Sequence, residues 1–132
     1  MTLLKKSGVT ASLVLVAVLA GRIVSPALAQ DNRFVAGFED LPLMPGLEQG
    51  EDSGTVFDSP SGRVIEAYAE GPVSPADVDA FYAKTLPQLG WRQVSERRYH
   101  REGEILEITP HRGDKASVRV RFYLSPEGAA PP

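Results

Sequence analysis

From Ser117 to Leu124 the chain reads SVRVRFYL, and this strict alternation constrains the fold more than any other stretch. Val118, Val120, Phe122 and Leu124 share one side of an extended strand, while Arg119, Arg121 and Tyr123 share the other. A strand of this kind needs one covered face and one wetted face. An antiparallel sheet with a layer laid on one side meets that need.

The rest of the chain supplies both sheet and layer. TVFD, SPSG and RVIEAYAEG read in series as a hairpin, with Pro60 at the second position of a type I turn and Gly62 at its close. Val64, Ile65 and Tyr68 favour strand, and Ala67 and Ala69 leave room for something laid across them. GPVSPADVDAFYAKTLPQLGW then carries the marks of a helix. Ser74 caps it, Pro75 occupies the first helical position, and Asp77 and Asp79 place negative charge in the first turn. Val78, Phe81, Tyr82, Thr85 and Leu89 fall on one helical stripe. Pro87 has no N–H to offer Ala83, so the helix should loosen near Leu86, and Gly90 can end it in the left-handed conformation. Trp91 then folds back onto the stripe as a core anchor, with a ligand-stacking platform as the competing reading. WRQVSERRYHR and EILEITPH read as two further strands around a turn at Gly103, and Pro110 marks a sheet edge or a bulge. The expected fold is therefore α+β: one helix packed on a curved antiparallel sheet, order ββαβββ, over residues 54–124.

Two flanking segments do not fit either period. Residues 30–53 combine Pro42, Pro45 and several glycines with Phe34, Phe38, Leu41, Leu43, Met44 and Leu47. Too broken for a helix and too apolar for a solvated tail, they predict an N-terminal extended arm docked on the domain or on a partner. Residues 125–132, SPEGAAPP, read as a disordered tail.

The first 29 residues read as an export leader. Lys5 and Lys6 precede a short apolar run, and Ala27-Leu28-Ala29 offers small residues for cleavage before Gln30. Arg22 interrupts the run short of the ~20 apolar residues that a spanning helix needs, which leaves an inner-membrane signal anchor as the alternative. The expected location is periplasmic or secreted, with no stable membrane insertion after cleavage. The absence of cysteine rules out disulfides and thiol lipidation alike. Removing 29 of 132 residues leaves 103, enough for one domain. It also removes three of the 14 basic side chains, leaving 11 against 17 acidic, a net −6 that argues against nucleic acid as a partner. The charge is uneven: residues 30–90 stand at −8 and residues 91–132 at +2.

No stretch carries a recognisable catalytic arrangement. His100 and His111 lack ligand spacing, although close pairing around Gly103 would bring His100 toward the sheet end that holds His111. Asp77 and Asp79 diverge on a helix, Ser59 and Ser61 sit in a turn without a nucleophile elbow, and Arg112-Gly113-Asp114 is ordinary turn chemistry. No cofactor or metal is expected. The cationic residues of the second half are the more informative group. Arg119, Arg121 and Arg92 could meet an acidic partner, an anionic glycan or a lipid head group, the protein's own Glu48, Glu51 and Asp52, or only water. Together with Leu43 and Met44 of the arm they form the candidate interaction surface.

Taken together, GTVFDSPSGRVIEAYAEG, FYAKTLPQLGW and YHREGEILEI resemble an uncharacterised family of small exported alphaproteobacterial proteins, over residues 38 to 124. That family has no assigned activity, so the resemblance implies export and transfers no site residues. Two functional classes follow from the residues themselves. One is a non-enzymatic cell-envelope module that binds another envelope protein. The other is a small ligand carrier or enzyme with a pocket between arm and sheet, where Tyr68, Tyr82 and His100 would supply the polar groups.

Overall fold

The computed structural model describes residues 34–129; the expected leader and cleavage site and the last three residues of the expected tail lie outside them. Gly54–Ser59 (β1) and Gly62–Gly71 (β2) form the hairpin around Pro60-Ser61, and the Ser59 hydroxyl donates to the Gly62 carbonyl at 2.6 Å. Pro75–Thr85 (α1) starts at Ser74, whose side chain accepts from the Asp77 N–H at 3.0 Å. As Pro87 requires, the helix tightens into a 3-10 turn over Leu86–Leu89, and Gly90 ends it at φ 85°. Arg92–Ser95 (β3), Arg98–Arg101 (β4), Glu104–Arg112 (β5) and Val118–Pro126 (β6) complete the sheet.

The α+β class, the single helix and the antiparallel sheet agree with expectation, but there is one more strand than ββαβββ allows. WRQVSERRYHR is two strands, not one. They turn at Glu96-Arg97, where Arg97 takes φ 60°, and a bulge between Gln93 and Ser95 loosens their pairing. β6 also runs two residues past Leu124, to Pro126, into the segment expected to be disordered. The six strands lie in the order β1-β2-β6-β5-β4-β3, which makes β6 central and β1 and β3 the edges. Pro110 is paired with Val120 inside β5. The Ile108 N–H donates to Arg97, at the tip of the β3–β4 hairpin. Two residues on, Pro110 faces the same way but beyond that tip, where no neighbouring strand needs a donor. It sits at a local edge, as its lack of an N–H demands.

The arm is less extended than its composition suggests. It turns at Ala36-Gly37 and again at Pro45-Gly46, and both glycines have positive φ. Glu48 then exchanges two backbone hydrogen bonds with Glu70 of β2, each 2.9 Å. Val35, Leu41, Leu43 and Leu47 enter the core, whereas Phe34 stays exposed. The arm covers the β1–β2 end of one sheet face, and Ala67 and Ala69 are buried on that face. At Gly71 a Cβ would fall 1.9 Å from the Gly46 carbonyl oxygen, so only glycine permits the approach. α1 covers the remainder with Val78 and Tyr82, the 3-10 turn after it adds Leu86, and Trp91 is buried beside them. Tyr82 joins the two covers. Its ring meets Phe122 edge-on, its hydroxyl donates to the Pro42 carbonyl at 2.9 Å, and the hydroxyl oxygen accepts from the Met44 N–H at 3.2 Å. No helix among the described residues is long and apolar enough to cross a membrane.

Candidate interaction surface

The opposite face of the sheet is covered by no described element. Its side chains follow from strand alternation, and the register aligns them in rows across β2, β6 and β5. Glu66, Tyr123 and Glu107 form one row; Tyr68, Arg121 and Thr109 the next; Glu70, Arg119 and His111 the third. Diagonal contacts stitch the rows together. Arg121 donates from Nη2 and Nε to Glu66 Oε2 at 2.6 and 3.2 Å, and the Tyr68 hydroxyl donates to Glu66 Oε1 at 2.7 Å. The Arg121 guanidinium lies 4.4 Å from the Tyr123 ring centroid, and that of Arg119 lies 4.6 Å from Tyr68.

These contacts set the protonation states. Hydrogen bonds from Arg121 and then from Tyr68 hold the Glu66 carboxyl below the ordinary glutamate range. The bond to Glu66 pushes the Tyr68 phenol up, so it stays protonated at neutral pH. A carboxylate held ionised beside a phenol held protonated is a poor acid–base pair. What the contacts do is hold the arginine and tyrosine side chains of this face in fixed positions.

The expected surface residues do not form one patch. Arg119 and Arg121 point outward, as their alternation requires, and Arg119 shares a hollow of about 290 Å³ with Glu48, Asp52 and Glu70. Its proximity to the protein's own acidic segment is thus part of the site. Arg92 is exposed on β3, three strands from β6 and roughly 14 Å away at the usual strand spacing. Leu43 and Met44 are not surface residues in the expected sense. Leu43 is only 9% exposed, and Met44 is packed half-buried against the core, because the arm is needed to seal the inner face. Glu66 and Tyr123 are the residues that sequence reasoning left out of the site. Their positions two residues from Tyr68 and Arg121 were the available signal.

The arm–sheet pocket does not form around its three candidates. Tyr82 is buried in the core, Tyr68 lies on the outer face, and His100 sits 3.0 Å from Glu127 Oε2. His100 and His111 are also apart. His100 pairs with Ile105, and His111 lies six residues further along β5, about 20 Å at strand rise. Among the described residues no group of three or more histidine and acidic side chains could hold a metal ion. Several other cations are engaged within the fold. Arg97 forks onto Asp79 with two 2.9 Å bonds, and Arg101 grips Asp40 at 2.7 and 3.3 Å while stacking 4.3 Å from Trp91. The Arg112-Gly113-Asp114 segment is a turn: the Gly113 N–H donates to the Ser117 carbonyl, and the Ser117 hydroxyl donates to the Asp114 carbonyl.

A separate groove of about 270 Å³ runs between α1 and the β3–β4 hairpin. Val78, Tyr82, Tyr99 and Ile108 form its floor, and the Arg97–Asp79 pair stands on its rim. Burial raises the Tyr99 phenol, with the Asp79 charge adding to the effect. No family model matches this chain, and no curated protein or solved structure matches it either.

Proposed function

We propose that this chain is a non-enzymatic cell-envelope protein, exported by its leader, that serves as a protein-interaction or assembly module. It docks another envelope protein on the outer face of the sheet. The observation that carries this reading is the ordered lattice of Arg119, Tyr68, Glu66, Arg121 and Tyr123 on a face that no described element covers. Arginine and tyrosine are enriched in interface cores, and side chains already fixed lose little entropy on binding. The test is crosslinking of the tagged, exported chain in its native envelope. A partner captured by the unaltered chain should be lost from a Tyr68→Ala/Arg119→Ala variant that melts normally. Undiminished capture by that variant would remove the outer face from the reading.

One observation favours a second reading, that of a small ligand carrier: the apolar floor of the α1 groove, formed in part by the Tyr82 and Tyr99 rings. Ala83→Trp would fill the groove. A carrier should then lose binding of an apolar fluorescent probe, whereas an interaction module should keep its partner.

A further inference from the structure

The two edges of the sheet differ in their defences. β3 is four residues long, carries Arg92 and contains a bulge, the usual means of discouraging another strand. β1 is longer and has no bulge, and its single charge is Asp58. Its six residues, GTVFDS, pair with β2 without a register break, contain no proline or lysine, and expose Val56 and Phe57 at 53% and 56%. The Ser53 carbonyl accepts from the Tyr68 N–H, so alternate residues Thr55 and Phe57 point their backbone groups at β2. Gly54, Val56 and Asp58 therefore turn their N–H and C=O groups to the open side, and no described strand pairs with them.

We infer that β1 pairs with β1 of a second copy, antiparallel about a two-fold axis at Val56, joining two sheets into one. The strand's own sequence selects this occupant and this register. A two-fold centred on Asp58 would set two aspartates face to face. One centred on Gly54 would bring Val56 opposite Asp52, and only a two-fold at Val56 pairs apolar with apolar. There Val56 meets Val56 of the second copy, and Asp58, the only charged residue of the strand, meets Gly54. Phe57 lies opposite Thr55 on the outer face, with the two Phe57 rings on the diagonal, within aromatic reach. Three outward residues on each copy give about six backbone hydrogen bonds. Glycine at the position facing Asp58 is already required within the chain, since a Cβ on Gly54 would fall 2.6 Å from the Ala36 Cβ.

The experiment uses the chain expressed with its leader and purified from the exporting cells. Sedimentation velocity over a concentration series should show a monomer–dimer equilibrium. Val56→Pro removes an N–H that β2 does not use, so β1–β2 pairing survives while the dimer weakens by about tenfold or more. Val56→Lys provides the same test with the N–H kept, should the proline variant fail to fold. Register is read with cysteine, which the chain lacks. In the dimer, Val56→Cys lies with Cα atoms ~5.5 Å apart and links two copies on oxidation; Asp58→Cys lies four positions from its twin and does not. A monomer at all concentrations overturns the inference, as does one whose β1 amides are protected by another segment of the same chain. Dimers untouched by both Val56 variants, or equal linking through Asp58→Cys, overturn it as well.

Discussion

The inner and outer faces of this sheet are made by the same strands, one residue apart, yet they are finished in different ways. Ile65, Ala67, Phe122 and Leu124 on the inner face are fully sealed from water. Their neighbours Glu66, Tyr68, Arg121 and Tyr123 on the outer face are half-exposed and held by an ion pair, a phenol hydrogen bond and ring stacking. A helix of only 11 residues leaves part of a six-stranded sheet uncovered. The arm makes up the difference. The inner face therefore carries the stability, and the outer face can vary its chemistry without endangering the fold. The contrast explains why an arm rich in leucine is structural while Arg119 and Arg121 can stand on the outer face.

That division predicts a ranking of effects. The largest should come from deleting Phe34–Leu47, which removes four buried side chains, each worth ~2–5 kcal/mol when truncated. Their sum is comparable to or larger than the ~5–15 kcal/mol typical of a domain's net stability, and the deletion also uncovers Ile65 and Ala67. The product should lose its near-ultraviolet circular dichroism; a folded product would move the arm out of the core and revive it as a binding element. Next comes Trp91→Ala, at about 3–5 kcal/mol by urea unfolding. Tyr82→Phe should cost about 1–3 kcal/mol, because it leaves the Pro42 carbonyl and Met44 N–H without their shared hydroxyl. A loss near zero there would show that arm and helix cover the sheet independently.

The sequence made some of this arrangement legible and hid the rest for identifiable reasons. Ser74-Pro75, Pro87 and Gly90 act through local chemistry that holds in any context, so the helix, its cap and its loosened end could be read directly. Faces follow from a period of two, so the directions of Arg119 and Arg121 could be read as well. The β3–β4 turn could not. Glu96-Arg97 contains neither glycine nor proline, and Arg97 is held at φ 60° by tertiary contacts: its fork onto Asp79 and its carbonyl's bond from the Ile108 N–H. The folding of the arm was equally hidden. Without a period there is no rule to say which of Phe34 and Leu43 turns inward, and the Glu48–Glu70 pairing joins residues far apart in the chain. Register decided the remainder, separating His100 from His111 and bringing Glu66 to Arg121.

The smallest expected effect tests the outer face alone. Glu66 binds a proton less readily in the folded chain than in the unfolded one, because Arg121 and Tyr68 favour its ionised form. The unfolded chain therefore takes up the proton first as pH falls. The stability from this pair is complete above the ordinary value of 4.5 and is lost as pH drops through the lower folded value. Glu66→Gln should flatten that part of the acid limb in urea midpoints measured from pH 6 to pH 3 (roughly the carboxylate window) and change little at neutral pH, since partly exposed ion pairs are worth about 1 kcal/mol or less. A much larger loss at pH 7 would mean that the lattice holds up the fold, and the contrast between a structural face and a contact face would then fail.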